Sequence, residues 1–219
     1  FVEMSRCRVG DVTRLLGKDG LKGSSLVSEE GDTVHFMVAQ RKQKNYLQYC
    51  AAIEPVHNAV RSINEYTDHT TELYARVNIA LAADSENLRN YENFVPQLRA
   101  AISATPLYHD GILYRGIDLS AQELEQMERL QRFFIPSFTS TSMDRAKAYK
   151  KPCMMLIKVP YACQYACSIT EHLSRFHAEE QEVLLSCYTA FRLEKVEMDN
   201  NTRMVHMYLD EHSTALRSL

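Results

Sequence analysis

The distribution of glycine constrains the fold of this chain more than any other feature of its sequence. Residues 1–35 contain five of the seven glycines, and residues 36–106 contain none. Glycine clusters favour loops, whereas a glycine-free stretch with few prolines favours helices. We therefore predict a loop-rich N-terminal segment over residues 1–35 and a helical lobe over residues 36–106.

Apolar residues recur at helical spacing in three runs within the predicted helical lobe. The runs are Val56, Val60, Ile63 and Tyr66; Leu73, Val77, Ala80 and Leu81; and Phe94, Leu98, Ala101 and Ile102. We expect three amphipathic helices. Thr67 or Asp68 is a candidate cap for the second, and the third is predicted to open between Asn90 and Asn93 and to end before Pro106.

After Pro106 the apolar residues follow strand-like patterns instead. Strands are predicted at 111–118, 154–159, 184–187, 189–196 and 204–209, with the last two forming a hairpin across 199–201. Ser120 and Glu123 stand in capping-box register for a surface helix over 120–132. Residues 146–151 are predicted to be helical and residues 161–177 to be a long loop. Residues 107–219 thus form a β-rich lobe, and the whole chain is an α+β domain in which a helical lobe packs on a mixed sheet.

Composition narrows the class of partner. The net charge is −3, and neither a basic block nor a basic stripe stands out, so we expect no nucleic-acid partner. No apolar run approaches the roughly 20 residues of a membrane span, so membrane insertion is not expected. We expect the partner to be a protein or a small molecule.

The six cysteines do not indicate a metal site or a disulfide scaffold. Cys163 and Cys167 are separated by three residues, but no second Cys or His pair follows at the spacing of a zinc site. We predict buried free thiols and no metal. One or two disulfides remain the alternative for a secreted protein.

Three polar features interrupt the predicted strands. Glu180 and Glu182 alternate in the stretch AEEQEVLL, so that in a strand both carboxylates share one face and require a cationic group nearby. Arg115 interrupts an apolar strand, and small hydroxyl residues run from Ser137 to Ser142. The alternatives are a solvated strand end, an arginine that extends from a sheet edge, and a polar loop.

Together, these features resemble the Arg-Ser-Glu class of mono-ADP-ribosyltransferases, and in particular the ecto-enzyme-like, arginine-specific family. The resemblance rests on YRG at 114–116, FTSTS at 138–142 and EQEVL at 180–184, in that order. Upstream segments at 63–67, 76–81 and 98–106 resemble the helical lobe of that family, and residues 168–176 resemble the loop before the paired glutamates. The resemblance covers residues 56–196 and implies a single catalytic domain whose NAD cleft lies on the sheet lobe.

The resemblance implies an enzyme that cleaves NAD, its co-substrate, and transfers ADP-ribose to an accessible arginine of a target protein. Glu182 would stabilise the oxocarbenium-like transition state, and Glu180 would orient and deprotonate the acceptor guanidinium. Arg115 would bind the pyrophosphate or the nicotinamide-side ribose, and Ser140 would hold Glu182 and the ribose.

Further residues receive supporting roles from the same resemblance. Gly116 would bring its backbone to the nicotinamide amide, Thr141 and Ser142 would support the strand, and Tyr149 would stack on the nicotinamide ring. The acceptor-recognition loop would include Ser174, Phe176, Glu179 and Glu180. One residue more than in the family pattern precedes the catalytic glutamate, so Glu179 competes with Glu180 for the first acidic position; strand alternation favours Glu180.

Two other functions use the same motifs. An NAD glycohydrolase would carry the same bond-cleaving residues, with water replacing arginine as the acceptor. An inactive relative would bind NAD or a protein without turnover, but none of the three motif residues is missing. The sequence does not distinguish a toxin or effector from an endogenous regulator.

Overall fold

Most of the described helices lie in the first half of the chain, as predicted. The structure, a computed structural model, describes residues 44–50, 59–68, 70–109, 111–148, 150–170, 173 and 181–210. Its helices before the sheet are α1 (Lys44–Tyr49), α2 (Ala59–Thr67), α3 (Leu73–Ala82), a 3₁₀ helix (Glu86–Tyr91) and α4 (Phe94–Ala104). The three predicted amphipathic helices correspond to α2, α3 and α4.

The N-terminal caps of these helices confirm one prediction and correct another. Asn93 precedes α4 as expected. For α3 the predicted cap was wrong, because the preceding residue is Glu72, which adopts a φ of 52° and makes no side-chain cap. Asp68 stabilises the intervening turn instead, where its Oδ1 accepts a hydrogen bond of 2.9 Å from the Thr70 backbone N–H.

In the described part of the chain, one mixed sheet of eight strands follows these helices. The strands are β1 (Gly111–Ile117), β2 (Arg132–Ile135), β3 (Thr139–Ser142), β4 (Cys153–Val159), β5 (Ala166–Ser168), β6 (Glu182–Leu185), β7 (Thr189–Asp199) and β8 (Thr202–Leu209). Their order is β2-β7-β8-β4-β1-β3-β6-β5, and only β4 and β8 pair in parallel. The α+β class is confirmed, and the described residues contain more strands than the five predicted from the sequence.

The predicted hairpin joins β7 and β8. Asp199 pairs with Thr202, and the two loop residues Asn200 and Asn201 have φ values of 46° and 68°. Positive φ at both central positions is the signature of a type I′ turn, and asparagine tolerates that conformation better than most residues. Local sequence therefore determines this connection.

The surface helix α5 (Ala121–Leu130) follows β1, and its predicted capping box is present. The Ser120 Oγ accepts the Glu123 backbone N–H at 3.2 Å, and the Glu123 carboxylate accepts the Ser120 backbone N–H at 2.7 Å. A helix was predicted at 146–151, but the described residues of this stretch, 146–148, 150 and 151, are not helical. Instead, Asp144 closes a tight turn by accepting the Ala146 N–H on its side chain and the Ala148 N–H on its carbonyl.

The predicted long loop at 161–177 contains a short strand that sequence patterns did not indicate. Strand β5 pairs with β6 at the sheet edge. The chain enters this strand through a bridge in which Leu107 and Cys163 exchange backbone hydrogen bonds of 3.0 and 3.1 Å. Pairing with β6, rather than its own composition, therefore makes this segment a strand.

The two larger apolar cores of the described residues lie on opposite sides of the sheet. Leu124 and Met127 of α5 belong to one core, and the helices before the sheet form the other. Strand β6 separates them, since Val183 enters the first core and Leu184 the second. The helical lobe thus packs on one face of the sheet, next to β3 and β6. The lobe boundaries at 35/36 and 106/107 stay a prediction.

The described cysteines are buried free thiols, as expected: Cys50, Cys153, Cys163, Cys167 and Cys187. Within the described ranges no three His, Cys, Asp or Glu side chains are arranged to hold a metal ion. None of the helices described is both long and apolar enough to cross a membrane.

Candidate active site

The three sequence motifs lie on neighbouring strands of the sheet. Arg115 belongs to β1, Ser140 to β3, and Glu182 is the first residue of β6. Strand β3 runs between the other two, with Tyr114 paired to Ser142 and Ser142 paired to Glu182. The expectation that the motifs occupy different strands of one sheet is confirmed, and their adjacency brings together residues far apart in the chain.

Arg115 is anchored to the strand that carries the hydroxyl run. Its Nη1 donates a hydrogen bond of 2.6 Å to the Ser140 carbonyl. Burial lowers the pKa of the Arg115 guanidinium, whereas the nearby Tyr66 and Glu182 act in the opposite direction. Arginine remains protonated in proteins because its pKa starts above about 12, so Arg115 is a fixed positive charge at the centre of the site.

Glu182 is almost completely buried, with 4% of its surface exposed. Backbone bonds on both sides hold it: its carbonyl accepts the Ile169 N–H at 2.9 Å, and the preceding carbonyl of Gln181 accepts the Met143 N–H at 3.2 Å. Paired residues in a sheet share a face, so Glu182 and Ser142 project to the same side as Leu184, toward the helices. The carboxylate therefore lies on the side of the sheet that the helical lobe covers.

The strand that contains Glu182 spans Glu182–Leu185, two residues earlier in the chain than the predicted strand at 184–187. Strand β6 begins at Glu182, and Gln181 has a φ of 46°, outside the extended region. The alternation that placed Glu180 and Glu182 on one face consequently does not extend past Gln181. Glu179 and Glu180 lie outside the described residues, so the choice between them stays a prediction.

The hydroxyl residues of β3 have distinct environments. All four residues of the strand are buried. The Thr141 Oγ1 donates a hydrogen bond of 2.8 Å to the Val183 carbonyl, and the Ser142 Oγ accepts the Asp144 N–H at 3.1 Å. These bonds stabilise β3 against β6 and begin the turn that follows, which is consistent with the supporting role predicted for Thr141 and Ser142.

Other predicted site residues are less well defined by the structure. Gly116 is a buried residue of β1 that pairs with Met154, next to Arg115. Its predicted contact with nicotinamide stays a prediction. The remaining candidates lie outside the described residues: Tyr149, Ser174, Phe176, Glu179 and Glu180.

Sequence reasoning missed two residues that the helical lobe brings to the site. Tyr66 of α2 and Asn78 of α3 are linked by a 2.8 Å hydrogen bond from Asn78 Nδ2 to the Tyr66 hydroxyl. Asn78 also bonds the backbone of Phe138, just before β3. The available signal was a polar asparagine in the otherwise apolar run VNIALA, which indicates a buried partner for its amide.

This arrangement suits chemistry that develops positive charge on a bound substrate. A buried carboxylate stabilises a nearby cation more strongly than an exposed one, because the surrounding dielectric is low. Beside it, a guanidinium offers several donors to an anionic group. Among the described residues, the Ser140 carbonyl is the only hydrogen-bond partner of Arg115, which leaves donors of its fork for a phosphate.

Several solved structures have the same fold as this chain. C3stau2 from S. aureus with NAD is 18% identical, with a TM-score of 0.55, and the match covers 77% of this chain and 93% of that one. The Clostridium limosum C3 exoenzyme is 18% identical with a TM-score of 0.55, covering 77% and 90%. The ADP-ribosyltransferase Vis in complex with agmatine is 17% identical with a TM-score of 0.57, covering 84% and 93%.

At these identities the structural matches establish the fold, which is the ADP-ribosyltransferase fold. A search of curated proteins found no significant match. A family model described as ADP-ribosyltransferase exoenzyme matches residues 41–215, which is well over half of the sequence and includes all three motifs. The chain therefore belongs to the ADP-ribosyltransferase exoenzyme family.

Proposed function

We propose that this protein cleaves the bond between nicotinamide and ribose in NAD and transfers ADP-ribose to an arginine side chain of a target protein. The observation that carries the proposal is the adjacency of Arg115, Ser140 and Glu182 on β1, β3 and β6, with the Arg115 fork bonded to Ser140. Family membership supports ADP-ribosyl transfer, and the similar structure of C3stau2 was solved with NAD.

Glu182 is proposed to stabilise the transition state of bond cleavage. As nicotinamide leaves, the ribose C1′ acquires oxocarbenium character, and a carboxylate nearby lowers the energy of that charge. The burial of Glu182 makes the interaction stronger than it would be in water. Ser140 lies on the same strand face as Glu182 and is proposed to hold the ribose beside it.

Arg115 is proposed to bind the pyrophosphate or the nicotinamide-side ribose of NAD. Its bond to Ser140 fixes one end of the guanidinium, so the remaining donors are oriented before NAD binds. Gly116 and Tyr149 are proposed to contact the nicotinamide group. No metal is required by this chemistry, because the leaving group departs as neutral nicotinamide.

Glu180 is proposed to make arginine the acceptor. A guanidinium is a poor nucleophile because it is a cation with a pKa above about 12. A carboxylate beside it orients one nitrogen and takes its proton as the new bond to C1′ forms and the bond to nicotinamide breaks. The similar structure of Vis in complex with agmatine supports this acceptor class, since agmatine carries the same guanidinium group as arginine.

The test uses labelled NAD with a protein acceptor and with an acceptor that lacks arginine. We expect label on the first acceptor only, with nicotinamide released in equal amount. Glu182→Gln should abolish both transfer and NAD cleavage, whereas Glu180→Gln should abolish transfer and retain some cleavage.

Glu179→Gln is the matched control, since it removes the neighbouring carboxylate. If Glu179→Gln, and not Glu180→Gln, abolishes transfer, then Glu179 holds the acceptor-activating position. Release of free ADP-ribose with no label on the protein acceptor would identify an NAD glycohydrolase and refute the transferase proposal.

A further inference from the structure

One side-chain amide of the helical lobe is bonded to the backbone at the entrance to β3. The Asn78 Oδ1 accepts the Phe138 N–H at 3.0 Å, and the Asn78 Nδ2 donates to the Phe138 carbonyl at 3.2 Å. A neighbouring strand would offer the same donor and acceptor pair. Asn78 therefore makes the two hydrogen bonds that a neighbouring strand would make to Phe138, which lies just outside the sheet.

This contact lies two residues before Ser140, where the position of the backbone matters for the site. Strand β3 has four residues, all paired with β6, but its pairing with β1 is limited to Tyr114 and Ser142. The β1 ladder thus does little to set the distance between Arg115 and the Ser140 carbonyl. The Asn78 contact provides a second fixed point at the start of the strand.

Tyr66 completes the contact from α2. Its hydroxyl accepts the second Asn78 Nδ2 proton at 2.8 Å, and its ring packs edge-on against Phe138 with centroids 5.3 Å apart. The side chain is fully buried. Burial raises the pKa of Tyr66, and the charges of Glu182 and Arg115 also reach it. Tyr66 therefore contacts both Asn78 and Phe138 and lies near the charged centre of the site.

We propose that Asn78 and Tyr66 are positioning residues that hold the start of β3, so that the Ser140 carbonyl orients the Arg115 guanidinium for NAD. The inference rests on the proposed NAD chemistry but concerns residues that need not touch the substrate. Both N–H groups and the oxygen of the Asn78 amide are hydrogen-bonded. Replacing the amide with a group of the same shape therefore removes known hydrogen bonds.

The decisive variant is Asn78→Asp. The carboxylate retains the shape and can still accept the Phe138 N–H, but it cannot donate to the Phe138 carbonyl or to the Tyr66 hydroxyl. We expect kcat/KM for NAD cleavage to fall at least tenfold, chiefly through a higher KM for NAD. Tyr66→Phe keeps the ring and should lower kcat/KM three- to tenfold. The double variant should lose little more than Asn78→Asp alone.

Ile102→Val is the matched control for stability. It shortens a fully buried side chain in the same core, and it should lower Tm without changing KM for NAD. The positioning role is overturned if Asn78→Asp or Tyr66→Phe lowers Tm as Ile102→Val does but leaves KM and kcat unchanged. If Asn78→Asp does not fold, Tyr66→Phe provides the same comparison. An inactive wild-type protein would instead refute the proposed function.

Discussion

Replacing Arg115 with lysine separates the charge of this residue from its fork geometry. Lysine retains the positive charge, but its ammonium group cannot donate in two parallel directions from a planar group. It also lacks the reach and planarity that allow Arg115 to bond the Ser140 carbonyl at 2.6 Å while presenting other donors to NAD. If orientation of the guanidinium matters, Arg115→Lys should impair NAD use even though the net charge is unchanged.

The expected size of the effect follows from that one bond. A hydrogen bond from a charged donor contributes about 1.5–3 kcal/mol. A change of about 1.4 kcal/mol in transition-state stabilisation alters a rate tenfold. We therefore expect kcat/KM for NAD cleavage to fall by about 10- to 150-fold, with most of the change in KM because Arg115 is assigned to binding rather than to bond cleavage.

The assay is the initial rate of nicotinamide release over a range of NAD concentrations. Thermal unfolding of each variant shows whether a lost rate reflects lost structure. Arg129→Lys is the control, because Arg129 is an exposed residue of the surface helix α5. Arg115→Lys activity within threefold of wild type would show that the bond to Ser140 has no role in orienting the group for NAD.

Three further predictions concern stability. Ser120→Ala removes the capping box of α5 and should cost about 1 kcal/mol, lowering Tm by roughly 2–4 °C without changing NAD cleavage. Asn201→Gly should raise Tm slightly because glycine adopts the φ of 68° without strain, and Asn201→Val should lower it. Burial raises the pKa of Cys187 to about 11, so its thiol is the native form at neutral pH and stability should fall as the pH rises from about 9 to 11. Urea titrations across that range should show a smaller alkaline loss for Cys187→Ala, and an unchanged loss would refute this assignment.

Features that depend on a few neighbouring residues were predictable from the sequence. The capping box joins Ser120 to a residue three positions away, and the hairpin turn depends on Asn200 and Asn201 alone. The helical stripes of α2, α3 and α4 are likewise local patterns. Local patterns were not sufficient at 146–148, where a helix was predicted and the chain forms a turn. Isolated helices of that length are marginal, and the Asp144 turn satisfies the same backbone groups.

The order of three motifs in the chain was sufficient to identify the class of protein and to propose the residues that carry its chemistry. Their adjacency could not be derived from spacing, because the strand order places β3 between β1 and β6 through contacts between distant segments. Strand β5 exists only because β6 offers it a partner, and the left-handed Gln181 ends the alternation that the sequence suggested.

The sequence by itself determined the helical lobe, the α+β class and the presence of an arginine, a hydroxyl run and paired glutamates. Tertiary structure decided what these groups contact. Arg115 bonds a carbonyl 25 residues away, and Asn78 bonds a backbone 60 residues away. Backbone groups are the same in every residue except proline, which lacks the N–H, so no sequence pattern indicates which carbonyl or N–H a buried side chain will reach. That choice is made only when the helices and the sheet pack together.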